Sequence, residues 1–188
     1  MAEAGKKKGP KYDRIIDAAI EVIAENGFHH AQVSKIADRA GVADGTIYLY
    51  FKNKEDLLIS LFREKMALYV ERLKQAIHEK EHVEDKLFAF VEMHFKNVSE
   101  SDHLAIVTQL ELRQTNKQLR TKIGEILKTL LNLLDEIIEE GKRQGVFSQE
   151  LDKRIARQMI FGTIDETVTT WVMKDHKFDL VSLAKDRK

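Results

Sequence analysis

The chain has 188 residues, 43% of them hydrophobic and 33% charged, which is enough apolar content for a packed core beneath a solvated surface. It contains no cysteine, so disulfides and thiolate metal sites are excluded, and 31 basic residues balance 31 acidic ones, so bulk charge does not advertise nucleic acid. No apolar run reaches the length of a membrane span and no signal-peptide core opens the chain, so a cytoplasmic protein is expected.

The first twelve residues set Lys6, Lys7, Lys8 and Lys11 against Glu3 alone. A lysine cluster of this kind reads as a solubilising tail, or, beside a DNA-binding element, as an arm that reaches phosphates and releases counterions. Pro10 then opens a helix over 11–26, with Ile15, Ile16, Ala19, Ile20 and Ile23 on one stripe, and Asn26-Gly27 stops it. Residues 27–58 read GFHHAQVSKIADRAGVADGTIYLYFKNKEDLL: two short helices broken at Gly41, then the start of a long third one. Ile36, Ala37 and Ala40 point inward before the break, and Val42, Ile47 and Phe51 after it. Between them runs a polar, aromatic ridge of Asp44, Gly45, Thr46, Tyr48, Leu49 and Tyr50, suited to a DNA groove.

In that helix-turn-helix reading, Thr46, Tyr48, Tyr50 and Lys54 supply phosphate contacts, Gly45 admits close backbone approach, and Leu49 meets a thymine methyl. Gln32, Ser34 and Lys35 on the helix before complete the expected DNA-facing set. For Tyr48, packing beneath the recognition helix is an equal alternative. Gln32 and Ala43 stand at the two cap positions, where neither supplies the usual short oxygen acceptor, at a cost of about 1 kcal/mol for Ala43; Asp44 offsets part of it through the helix dipole.

The long helix runs from Lys54 to about Lys80, with Leu57, Leu58, Leu61, Phe62, Met66, Tyr69, Val70, Leu73 and Ile77 inward. Helical segments follow at 84–98, 103–113 and 117–143, with a turn between Gly141 and Gly145 and a last long helix from the Asp152 cap to about Asp175. Asp179 to Ala184 form one or two turns more. Strand-type alternation is absent. The fold expected is all-α: a three-helix head over 1–53 and a helical body over 54–188.

The patterns NGF (Asn26 to Phe28), IA..AGV (Ile36 to Val42) and GT.Y.YF.NKE.L (Gly45 to Leu57) resemble the TetR family of bacterial transcriptional repressors. That resemblance implies a homodimer with DNA-binding heads on a near-palindromic operator and a ligand-binding body. The segments AIVTQLELRQTN (Ala105 to Asn116) and ARQMIFGTIDETVTTWVMKD (Ala156 to Asp175) are similar to the FadR-type branch that represses fatty-acid degradation genes. The likeness implies release from the operator by long-chain acyl-CoA, an effector rather than a cofactor, with no catalytic residue and no metal.

Each apolar stripe of the body is by itself ordinary core; the resemblance turns Phe88, Val91, Phe95, Leu104, Val107, Leu110, Leu130 and Phe161 into candidates for an acyl tunnel. Coenzyme A carries phosphates, so cations should ring the mouth: Arg113, Arg120, Arg157 and Lys117, each with a salt bridge to a neighbouring glutamate as the alternative. Gly162, Thr163, Thr167, Thr170 and Trp171 resemble the family's dimer surface, with Trp171 as anchor, and Asp165 and Glu166 read as polar contacts of that surface. Two other functions compete. A multidrug-sensing repressor would keep this head over a pocket for flat aromatic cations. An acyl-CoA-processing enzyme would need a nucleophile or metal spacing that the seven histidines do not provide.

Overall fold

The computed structural model describes residues 8–111 and 113–185. Lys6 and Lys7 of the basic arm lie outside them. The described residues form α1 (Pro10–His30), α2 (Val33–Ala40), α3 (Asp44–Tyr50), α4 (Lys54–His78), α5 (Val83–Ser99), α6 (Asp102–Leu110), α7 (Lys117–Arg143), α8 (Lys153–Met173) and α9 (Leu180–Lys185), with no strand among them.

A proline, glycines and short polar caps set these boundaries. Pro10 occupies the first turn of α1, where its missing N–H costs nothing. Gly27 takes φ 72° and ψ 153° and interrupts the helix, so Phe28 to His30 form a separate turn rather than a continuation. Gly41 closes α2 in the left-handed region at φ 64°. The side chains of Asn53, Ser101, Asn116 and Asp152 accept backbone N–H groups at the starts of α4, α6, α7 and α8. Gln32 and Ala43 stand at the caps of α2 and α3 and make no such bond. Helix α6 stops at Leu110, three residues short of the expected 113.

Two apolar clusters organise the packing. One joins Ile15, Ile23, Ile36, Ile47 and Phe51 of the head to Leu57–Phe62 of α4, Val107 of α6, and Leu119 and Ile123 of α7. The other joins Tyr69, Val70 and Leu73 of α4 to Phe90 and Phe95 of α5, Leu130 to Ile138 of α7, and Ile164 to Val172 of α8. Helix α4 therefore contributes its first two turns to the head and the rest to the body. Half-buried ion pairs link the body's helices: Lys86 with Glu140 at 2.6 Å and Arg157 with Asp135 at 2.8 Å.

At the end of α7 the Phe147 ring lies against Gly141, so close that a methyl group there would overlap it at 2.3 Å. Trp171 is buried and donates its indole N–H to the carbonyl of Phe178, 2.9 Å away. It anchors the segment leading to α9 within its own chain. Trp171, expected as an anchor of the dimer surface, packs within its own chain, because the indole is too large and apolar to leave in water when a pocket and an acceptor exist beside it.

Candidate DNA-binding face and ligand cavity

The recognition ridge is carried by α3. Ile47 and Phe51 hold it to the core, and Tyr48 and Leu49 stand out at 55% and 71% exposure. The packing alternative for Tyr48 is thus removed in favour of a solvent-facing ring. Tyr50 behaves the other way. It is half-buried, packed on the head core with its ring 6.0 Å from that of Tyr12. Tyr12 also stacks on Phe51 at 5.3 Å and donates to Glu64 at 3.3 Å. Burial, reinforced by Glu64, pushes its hydroxyl up to about 12. Sequence reasoning misses Tyr12; its place at i−3 from Ile15 on the apolar stripe is the available signal.

Gly45 is exposed within α3, its φ is not left-handed, and a Cβ there would meet nothing within 4 Å. The fold does not require glycine at this position. Gln32, Ser34, Lys35 and Asp44 are all exposed on the same part of the head, and Thr46 is half-buried.

Lys54 has a second task. Its ammonium donates to the carbonyls of His29 at 2.9 Å and Ala31 at 3.2 Å, and lies 4.8 Å from the centre of the Phe28 ring. It clips the start of α4 to the end of α1, which leaves one of three donors for a phosphate. Arg39 makes a comparable clip from α2 to α1, on Glu21 at 2.6 Å and Glu25 at 3.0 Å. Lys8 meets Glu64 at 2.6 Å, whereas Lys11 is exposed.

In the body, α4, α5, α6, α7 and α8 line a narrow apolar cavity of about 50 Å³. That is well below the roughly 300–1,000 Å³ of ordinary ligand pockets, so a large ligand can enter only by parting these helices. Its wall includes Phe62, Met66, Val98, Ile123, Leu127, Leu130 and Phe161. Polar groups are few: Tyr69, His94, Asn97, Thr108, Gln109 and Asp165. Met66 and Ile126 also line an open cleft between α4 and α7, together with Arg63, Lys74 and Lys122 and the carboxylates Glu71 and Glu125.

Only some expected ligand residues reach this cavity. Leu130 and Phe161 line it. Val107 is fully buried in the head cluster, Leu104 packs against that cluster, and Leu110 is exposed. Val91 and Phe95 line a separate, shallow groove with Met159, Ile160 and Thr163, and Phe88 packs at the edge of the body core. Helical period places a residue on an inward face without saying which neighbour fills that face. The basic residues divide likewise. Arg113 pairs with Asp165 at 2.8 Å and donates to the carbonyl of Gln109, so it caps one side of the cavity. Arg120 donates to the carbonyls of Gln114 and Thr115, holding the turn before α7. Arg157 is spent on Asp135, and Lys117 is exposed at the start of α7. Glu166 accepts from Thr170 at 3.4 Å on the exposed side of α8.

A helix-turn-helix head fused through one long helix to a helical body with a narrow apolar cavity defines a ligand-responsive DNA-binding regulator. Comparison with known proteins agrees. Residues 15–61 match the profile of bacterial regulatory proteins of the tetR family, and residues 62–188 match that of the YsiA-like C-terminal region. The chain belongs to the TetR family. It is 63% identical to the fatty acid metabolism regulator protein of Bacillus subtilis over 95% of this chain and 92% of that one. It superposes on the crystal structure of FadR from Bacillus subtilis in complex with stearoyl-CoA with a TM-score of 0.91, covering 93% of this chain and 94% of that one at 63% identity. The fatty acid degradation regulator FadR from Bacillus halodurans gives a TM-score of 0.90 at 64% identity over 93% and 94% of the two chains. Among the described residues no helix is long and apolar enough to cross a membrane.

Proposed function

We propose that this protein is a transcriptional repressor of fatty-acid degradation genes that leaves its operator when long-chain acyl-CoA occupies the body. The observation that carries the proposal is the narrow cavity among α4 to α8, apolar over most of its wall and sharing Phe62 with the core of the DNA-binding head. The relative solved with stearoyl-CoA, at 63% identity, supports the same chemistry. The acyl chain widens the cavity as it enters, and each buried methylene contributes about 0.8 kcal/mol toward that displacement. The coenzyme A head stays in the cleft between α4 and α7, where Arg63, Lys74 and Lys122 offer cations to its phosphates. This assignment replaces Arg120 and Arg157, both spent on contacts within the chain. A repressor of chromosomal genes acts in the cytoplasm.

The operator surface is Tyr48, Leu49, Thr46 and Gly45 on α3, supported by Gln32, Ser34 and Lys35, with Tyr50 and Lys54 holding α3 and α4 against α1. Two such surfaces in a homodimer would read a near-palindromic site about one DNA turn apart or slightly more. For the dimer we assign the outer face of α8. Ile155, Met159 and Met173 are exposed there, and a Cβ at Gly162 would meet only the end of Gln158 at 3.9 Å, so that glycine also answers to something outside the chain. An exposed apolar stripe of this kind marks a contact surface.

Two elements connect cavity and head. Phe62 and Met66 lie on α4, whose first turns sit in the head core. Thr108 and Gln109 lie on α6, whose Val107 is buried in the head cluster and whose neighbour Glu111 stands 3.6 Å from the position of a Cβ on Gly27. A chain wedged into the cavity displaces both helices against the head and changes the spacing of the two recognition helices. Ligand and operator then oppose each other reciprocally. A gel shift with an acyl-CoA series, free CoA and a flat cationic dye tests the reading. Release by long-chain acyl-CoA, with little from free CoA and none from the dye, is the expected result; release by the dye alone would favour a multidrug sensor.

A further inference from the structure

The cavity holds one polar atom that its own surroundings leave unsatisfied. His94 lies on α5 between Phe90 and Val98, is 7% exposed, and lines the cavity wall. Its Nδ1 is 2.9 Å from the Tyr69 hydroxyl, and its Nε2 is buried without a hydrogen-bond partner. Burial holds the imidazole well below its ordinary value, at about 4, so it is neutral and carries one donor and one acceptor. The tautomer follows from counting. If Tyr69 donates to Nδ1, the single group left without a partner is Nε2–H. If Nδ1 donates instead, both the Tyr69 hydroxyl proton and the Nε2 lone pair are stranded. The first arrangement is favoured, because each stranded buried group costs on the order of 1–3 kcal/mol. Asn97, one helical turn further on, lines the same cavity and adds a second donor, its side-chain amide, to that face of α5.

A purely apolar ligand would leave this donor unpaired. Resting on the acyl-CoA reading above, we propose that His94 donates from Nε2 to the thioester carbonyl oxygen of the bound acyl-CoA, so that the body recognises the acyl linkage as well as the chain. Tyr69 is the positioning residue that fixes the tautomer. The site thereby distinguishes an acyl thioester from an equally long hydrocarbon on the same coenzyme.

The test compares stearoyl-CoA with the S-octadecyl thioether of CoA, in which a methylene replaces the carbonyl, and with free stearate, which carries acceptor oxygens but no coenzyme. Wild-type protein is expected to bind the thioester about tenfold more tightly than the thioether, the worth of one hydrogen bond and the donor it relieves. His94→Phe should bring that ratio to about one by weakening the thioester, and Tyr69→Phe should reduce it partway. Histidine ¹⁵N spectra of the wild type give a second readout. They should place the proton on Nε2 of His94 in the free protein and move that resonance with the thioester but not with the thioether. Equal binding of the two compounds by wild type, or a ratio unchanged in both variants, would overturn the proposal while leaving acyl-CoA as the effector. Tighter binding of stearate than of either coenzyme derivative would overturn it in favour of a free fatty acid. Failure of wild type to bind any of the three would take down the acyl-CoA reading together with it.

Discussion

Gly45 is the position where the requirements of the fold and of the operator separate most cleanly. It lies within α3, its backbone is not left-handed, and an added Cβ would meet nothing within 4 Å. Gly45→Ala should therefore stabilise the free protein by up to about 1 kcal/mol through helix propensity, an increase in Tm of roughly 2–4 °C for a chain of this size. In the proposed operator complex the new methyl group would stand where α3 meets the groove. Pushing the helix off one base pair there costs about 1–3 kcal/mol per half-site, and a symmetric dimer suffers it twice. Operator affinity should thus fall on the order of 30-fold or more at about 1.4 kcal/mol per decade. Thermal melts and fluorescence anisotropy on a labelled operator at fixed salt measure the two quantities. A lower Tm that tracks the weaker binding would mean that the fold, not the groove, selects glycine. Unchanged affinity would show that α3 does not approach DNA at this residue.

The remaining predictions concern other parts of the molecule. Lys54→Met removes two charge-assisted bonds to the carbonyls of His29 and Ala31; discounted for partial exposure, a decrease of about 1–2 kcal/mol in stability is expected in denaturant melts, beside any weakening of operator binding. Gly141→Ala forces the Phe147 ring out of its place, at about 1–3 kcal/mol of overpacking, measurable as a lower Tm with operator binding intact at low temperature. Met159→Glu places a charge in the exposed stripe of α8 and should shift the dimer to monomer in light scattering at micromolar protein. Burial depresses His94 to about 4 from 6.5. Below 6.5 the unfolded chain binds the proton first, so this group's contribution is complete above 6.5 and disappears as pH falls toward 4. About 3 kcal/mol is involved at 1.36 kcal/mol per unit, and His94→Gln should flatten that part of the stability–pH curve.

The head is legible in the sequence because its determinants are local. Gly27, Gly41 and the Ile36–Phe51 apolar spacing fix where the head's helices stop and face, and the structure keeps those stops. Helix ends in the body are legible for the same reason at Ser101, Asn116 and Asp152. What periodicity cannot supply is the assignment of each inward face. Val107 and Phe95 both sit on apolar stripes, yet one is sealed into the head core and the other borders an outer groove. The cavity's polar groups are hidden because an apolar pattern is read by ignoring its exceptions; His94, between Phe90 and Val98 on a buried face, is such an exception. The partners of Arg113, Arg120 and Arg157 are not legible because the carboxylates and carbonyls that meet them come from loops or other helices.

The central claim is that one molecule cannot hold acyl-CoA and operator equally well at once. Calorimetric titration of stearoyl-CoA into the free protein and into the protein saturated with operator measures this coupling directly. Ligand binding is expected to be weaker on DNA, by the same factor by which saturating ligand weakens the operator complex, typically about 5–150-fold for coupled sites. Equal ligand affinity with and without operator would contradict it.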